Sequence, residues 1–236
     1  MKTILHAADR RGHVSFGWLD SHHSFSFGNY YDPEKMHFGM LRVLNDDIIT
    51  GGSGFGTHPH DNMEIVSIPL KGAIEHKDSM GTQAVINEND VQIMSAGTGI
   101  KHSEYNHYKD KDANFLQIWI IPKKRNIEPR YDQKRFDPAE RVNQFQTVVA
   151  PDNEKATWIN QDAWLSIGDF KAGFITSYPV KKAGNGVYAF VLNGSVTING
   201  QTLYKRDAIG IWDIDQLTIE ASTNSEILLI DVPMVA

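Results

Sequence analysis

Short apolar and β-branched runs, separated by turns that contain glycine or asparagine, recur along the whole chain and leave little room for helix. They lie at 38–44, 63–70, 91–94 and 115–121, and again at 187–192, 195–198, 208–212, 217–221 and 226–232. Runs of this length read as strands. Asn193-Gly194 and Asn199-Gly200 carry the residues that tight hairpin turns prefer. The expected fold is therefore all-β, built as sandwiches or barrels.

A chain of 236 residues is either one large β unit or two smaller ones. An internal repeat favours two. Leu70-Lys71-Gly72-Ala73-Ile74-Glu75-His76 resembles Leu192-Asn193-Gly194-Ser195-Val196-Thr197-Ile198, and each copy is followed by a related segment, Asp90-Val91-Gln92-Ile93 or Asp207-Ala208-Ile209-Gly210. Between the copies, residues 123–146 are polar, charged and proline-containing, as an exposed connection would be. The boundary is placed there, giving domains over 1–131 and 132–236.

Charge and composition exclude several classes. A net charge of −6 provides no broad basic surface for phosphate, so no direct nucleic-acid role is expected. No apolar run approaches the roughly 20 residues of a membrane span, and residues 1–11 lack the apolar centre of a signal peptide. The expectation is a soluble, cytoplasmic protein. Cysteine is absent, which removes disulfides, thiolate nucleophiles and sulfur-ligated metals. Any metal must be held by nitrogen and oxygen.

All ten histidines lie at or before His107. Among them, His58-Pro59-His60 and His102-Ser103-Glu104 each place two metal-binding groups two residues apart, and on strands each pair points to one face. Together they can close around one ion. Where the second copy should place its own ligands it has Pro179-Val180-Lys181-Lys182, which would repel a cation. Three neutral imidazoles, one carboxylate and a divalent ion carry a net charge of about +1, and an octahedral ion would keep two positions open. Such a site suits an anionic phenol or enol oxygen together with dioxygen or water. Imidazole fits zinc, copper, iron and nickel, and a carboxylate extends the choice to manganese.

Glycines at 52, 54, 56, 97 and 99 flank the ligands and allow positive φ or close backbone approach. Glu64 shares the parity of His58 and His60 and competes with Glu104 if the strand runs unbroken. Otherwise it, or a backbone carbonyl, is the outer partner of a ligand histidine. His22 and His23 are adjacent and face opposite ways, so a structural role is expected. His76 is expected to make a turn hydrogen bond near Asp78. Trp18, Phe25, Phe27, Tyr30 and Tyr31 form an aromatic cluster expected mainly in the core.

These residues resemble the first cupin motif: Gly52, five residues, His58-Pro59-His60, three residues, Glu64, and then Gly72. More narrowly, the chain is similar to the pirin family. The resemblance is carried by the string from Trp18 to Phe27, by Tyr30-Tyr31-Asp32-Pro33, Asn45-Asp46-Asp47 and Gly54 to His60, and by the string from Met94 to Glu104. The second half resembles bacterial pirin-like proteins through the segments from Asn193 to Gly200 and Ala208 to Trp212. The resemblance implies a bicupin of two β-sandwich or jelly-roll barrels, with metal in the first only and terminal segments that cross to the other domain. It further implies that His58, His60, His102 and Glu104 hold one divalent metal, Fe(II) before Zn, Ni, Mn, Co or Cu. That choice of Glu104 over Glu64 follows from the family and not from spacing.

Bacterial members of this branch are similar to quercetin 2,3-dioxygenases, which open the flavonol heterocycle with dioxygen and release carbon monoxide. The implied partners are a planar flavonol-like phenol and dioxygen, with Glu104 as the first candidate for the base that takes the 3-hydroxyl proton and Glu64 as the second. Other pirin-like proteins are regulators whose metal acts as a redox or interaction switch, which implies a protein partner instead. A purely structural zinc site is a third reading.

Overall fold

The computed structural model describes residues 1–235, and among them the only helices are two short 3-10 turns, Ala8–Arg10 and Pro138–Arg141. The remaining regular elements are strands, gathered into two halves of the same design. In the first half a seven-stranded sheet runs in the order Arg130–Arg135, Asp90–Ser95, Glu64–Lys71, Ala113–Ile120, Leu41–Ile49, Leu19–His23 and Gly12–Ser15. A four-stranded sheet accompanies it, ordered Gly54–His60, Ile100–Asn106, Ala73–Asp78 and Gln83–Asn87.

The second half repeats this plan. Its seven strands are Lys2–His6, Ala208–Trp212, Asn185–Asn193, Ser225–Pro233, Trp164–Phe170, Phe145–Ala150 and Thr157–Trp158, and its four are Ile175–Pro179, Gln216–Ala221, Ser195–Ile198 and Gln201–Tyr204. The fold is the expected pair of β-sandwich cupin domains. The halves also exchange edges: Lys2–His6 pairs with Ala208–Trp212 in the second half, whereas Arg130–Arg135 pairs with Asp90–Ser95 in the first.

Strand alternation explains where the chemistry sits, because successive side chains leave a strand on opposite faces. In the first large sheet Leu44, Val66, Ile68, Ile93, Leu116, Ile118 and Ile120 point toward the other half, where Val148, Leu165, Ile167, Phe190, Leu228 and Ile230 meet them in one shared core. Each such side chain contributes about 1.5–3 kcal/mol on full burial. Residues of the opposite parity on the same strands face into the sandwich. There Leu19, Ile49, Ile74 and Phe115 make one small apolar cluster and Ile65, Met94, Ala96 and Ile100 another. Ser67, His76, His102, Glu104 and Gln117 are buried as well.

Asn199-Gly200 forms the expected hairpin turn, with both residues at positive φ (46° and 86°). Asn193-Gly194 does not. There the chain passes from the large sheet to the small one, and Gly194, at φ +81°, approaches the backbone of Asn224 so closely that a Cβ would collide with it. No helix among the described residues is long and apolar enough to cross a membrane.

Candidate metal centre

The strands Gly54–His60 and Ile100–Asn106 lie side by side and antiparallel, with His58 opposite His102. Between His102 and Glu104 the register slips, so three steps along the first strand, from His58 to Phe55, match two along the second. Such a bulge re-aims side chains. Gly54 makes the close pairing possible, since a Cβ there would strike the backbone of Glu104 and Tyr105. It does so in extended backbone, as does Gly56, whereas Gly52, Gly97 and Gly99 adopt the positive φ expected of them.

The result is a triangle of imidazoles. Ring centroids are 4.8 Å apart for His58 and His60, 4.5 Å for His58 and His102, and 4.9 Å for His60 and His102. The Nε2 atoms of His58 and His102 are 3.1 Å apart. Two nitrogens bound at about 2.1 Å to one ion, at a right angle, would be separated by about 3.0 Å. Gly56 O accepts from His58 Nδ1 at 2.8 Å, which fixes the tautomer and leaves the Nε2 lone pair free. Burial and the neighbouring histidines push His102 down to about 2, and burial followed by His58 pushes His60 down to about 4. Both rings are therefore neutral donors at pH 7. This geometry and donor set fit a divalent transition metal.

Glu104 lies beside this triangle, 2 % exposed. Ser67 Oγ donates to its Oε1 at 2.9 Å and Gln117 Nε2 to its Oε2 at 2.7 Å. Burial raises its pKa, opposed first by the neighbouring His76. The donor atoms form two overlapping triads, His58–His60–His102 and His76–His102–Glu104, each within 4.8 Å. All four sequence-selected residues line one cavity of about 60 Å³, together with Phe27, Asn45, Asp47, Phe55, Gln117 and Trp119.

Glu64 is elsewhere. The ligand strand ends at His60 and a new strand begins at Glu64, so the parity argument fails across the intervening turn. Its Oε2 accepts from Ser95 Oγ at 2.8 Å and from the Asn160 backbone of the second half at 3.1 Å. The outer partner of His58 is thus a backbone carbonyl. His76 makes its turn hydrogen bond, Nε2 to Asp78 Oδ2 at 3.1 Å, yet it also stands opposite Glu104 on the adjacent strand. His23 is buried and His22 faces outward, as adjacency requires. His22 joins His13 and Asp20 in a separate cluster on the first hairpin, where His13 Nε2 is 3.0 Å from the Asp20 carboxylate.

The aromatic cluster divides: Phe25 enters the shared core, Tyr31 is exposed, and Phe27 packs edge-on against Trp119 at 5.2 Å in the cavity wall. Sequence reasoning missed Asn45, Asp47, Gln117 and Trp119. Their signal was alternation, with Asn45 and Asp47 two residues apart on one strand and Gln117 and Trp119 two apart on the next. Burial first, then the charges of Asp46 and Glu104, push Asp47 up to about 7 against the hydrogen bond from Ser21 Oγ.

Comparison with known proteins agrees with this architecture. Residues 5–120 match the family model Pirin, and residues 147–232 match the model described as Quercetinase C-terminal cupin domain. A quercetin 2,3-dioxygenase of Escherichia coli (strain K12) is 45 % identical over 236 residues, spanning 98 % of this chain and 99 % of its own. A pirin-like protein of Caulobacter vibrioides is 40 % identical over 225 residues, spanning 94 % of this chain and 96 % of its own. The crystal structure of a bacterial pirin from Escherichia coli in complex with nickel(II) superposes with a TM-score of 0.94 at 43 % identity, covering 99 % of this chain and all of the other.

Proposed function

Because the chain belongs to the pirin family, we propose that it is a metal-dependent dioxygenase of the quercetin 2,3-dioxygenase type, opening a flavonol heterocycle with dioxygen and releasing carbon monoxide. The observation that carries this reading is the cavity itself. Three imidazoles whose donor atoms lie within 4.8 Å of one another, a buried carboxylate and the aromatic rings of Phe27, Phe55 and Trp119 line it together. In this proposal His58, His60, His102 and Glu104 hold one divalent ion, with Fe(II) preferred. When bound, the ion supplies Lewis acidity that favours the deprotonated flavonol hydroxyl, and redox chemistry toward dioxygen.

The protein's own groups do the rest. Glu104 takes the proton of the flavonol 3-hydroxyl, its carboxylate standing in the cavity lining beside the imidazoles. Ser67 and Gln117 hold that carboxylate in one orientation. Phe27, Phe55 and Trp119 offer flat apolar surfaces on which the rings lie while the reacting edge enters.

The test is oxygen uptake and carbon monoxide release with quercetin, measured on protein of known metal content. His102→Ala should lose both the metal and the activity; full activity in that variant overturns the mechanism. A second reading, a regulator whose metal switches partner binding, is favoured by the cavity's size. About 60 Å³ is well below the roughly 300–1,000 Å³ typical of sites that enclose a ligand. Absence of oxygen uptake with every reconstituted divalent ion would select the regulator.

A further inference from the structure

The first hairpin gathers a second set of metal-binding side chains, none of which lines the cavity of the histidine triad. His13 and His22 are register partners across the antiparallel strands Gly12–Ser15 and Leu19–His23. Asp20 lies two residues before His22, so all three side chains leave the hairpin on one face. The two imidazoles stack, with ring centroids 4.5 Å apart and planes 18° from parallel. They approach the same carboxylate through different nitrogens, His13 Nε2 at 3.0 Å from one Asp20 oxygen and His22 Nδ1 at 3.4 Å from the other. One donor atom from each residue lies within 4.8 Å of the others.

Packing does not require this gathering. The side chains of His13, Asp20 and His22 are 52 %, 42 % and 36 % exposed, and imidazole–carboxylate pairs at such exposure contribute little to stability. Their spacing suits coordination. Two donors bound to one ion at about 2.1 Å stand about 3.0–3.4 Å apart, from the octahedral angle to the tetrahedral. Both nitrogen–oxygen separations fall in that range, and rotamer changes of exposed side chains bring the two nitrogens to it. The adjacent cation, Arg11, is paired with Asp46 at 3.6 Å and does not consume the charge of Asp20. Gly12–Ser15 is the edge strand of its sheet, so solvent has access to complete the shell of an ion held there.

We infer that His13, Asp20 and His22 form a second, peripheral site for a divalent transition metal, with zinc the best-suited ion. Two imidazoles and one carboxylate are a donor set that zinc accepts, and at open sites water supplies its fourth ligand. Nickel and copper, which imidazole also suits, compete for the same donors. The two centres differ in kind. The triad faces a cavity, whereas the hairpin site opens to solvent, holds an ion that exchanges freely, and ties the edge strand to its neighbour by a bond on each side of the metal. This inference is independent of the dioxygenase reading.

The experiment titrates zinc calorimetrically into metal-free full-length protein, with bound metal counted by equilibrium dialysis. Wild type should take up a second equivalent with a Kd of about 100 µM or tighter. His13→Ala and His22→Ala should each weaken that equivalent at least about tenfold, since even an outer partner of a metal ligand is worth as much. Asp20→Asn, which keeps the shape and removes the charge, should weaken it as well. Each variant should keep the equivalent in the cavity, which doubles as the check that it has folded. His102→Ala should do the reverse, losing the cavity ion and keeping the one on the hairpin. Two results overturn the inference: no second equivalent in wild type at that affinity, or a second equivalent bound equally well when His13 and His22 are both replaced by Ala, which would place the ion on other surface histidines such as His37 or His107. Neither depends on turnover, so failure of the dioxygenase reading and failure of this site are read separately.

Discussion

The two sandwiches share strand order yet treat their interiors in opposite ways. With the repeat as guide, His76 corresponds to Ile198; Glu104 faces His76 across the strands as Ile219 faces Ile198, and His102 faces His58 as Leu217 faces Tyr178. Further in, Gln117 beside Asn45 corresponds to Leu229 beside Ser166. The second interior is closed by Phe170, Val191, Leu203, Leu217, Ile219 and Leu229, among others. Its buried carboxylate, Asp231, is met by Asn185 Nδ2 at 2.6 Å, the Lys181 backbone at 2.8 Å and Tyr178 Oη at 3.3 Å. The first interior instead leaves His76 Nδ1, His102 Nδ1, Asn45 Oδ1 and Gln117 Oε1 buried and unpartnered among the described residues. One half is thus built for stability and the other bears the cost of a site. The sequence segment 179–182, expected to replace the ligands, lies mostly beyond the corresponding strand, which ends at Pro179; the actual counterpart of His58 is the buried Tyr178.

Importing the second half's residue into the first gives the largest effect. His102→Leu should abolish metal binding and reduce oxygen uptake on the order of a thousandfold or more. The metal-free chain should be at least as stable as wild type in chemical denaturation, because an apolar group replaces a buried imidazole. A large loss of stability would break the comparison. In the filled half, Leu229→Ala should cost about 2–5 kcal/mol while leaving metal affinity unchanged, read by denaturation and metal titration.

The seam between the halves is sensitive to acid. His6, on the exchanged strand, is held down to about 4 mainly by burial, with Nδ1 2.8 Å from Tyr188 Oη. The unfolded chain takes up this proton near pH 6.5 and the folded one only near 4. Its destabilisation is therefore absent above pH 6.5, grows as pH falls between these values, and reaches up to roughly 3 kcal/mol. His6→Gln should remove that part of the pH dependence, seen as a smaller fall in denaturation midpoint from pH 7 to 4.5. The smallest effect is expected at Ser67→Ala, which frees one oxygen of Glu104 and should weaken metal binding about 10–100-fold without unfolding the chain.

The strands, the duplication and the two candidate pairs, His58–His60 and His102–Glu104, were legible in sequence because they rest on local spacing: alternation within a run, or two donor groups two residues apart. The preference for Glu104 over Glu64 came instead from the family resemblance. What was not legible depends on pairing between distant strands. His13 carries no signal until His22 is placed opposite it across the hairpin. Asn45 and Gln117 look like ordinary polar interruptions until the register between their strands makes them neighbours. Glu64 stayed an open alternative in sequence because parity holds only within one strand, and a turn separates it from His60.

Anomalous diffraction from a crystal loaded with iron or nickel tests the central claim most directly. One peak within about 2.1–2.2 Å of an imidazole nitrogen from each of His58, His60 and His102 and of a Glu104 oxygen is the predicted result. A peak confined to the His13–Asp20–His22 hairpin, or a metal held by the three histidines with no Glu104 oxygen bound to it, would contradict it.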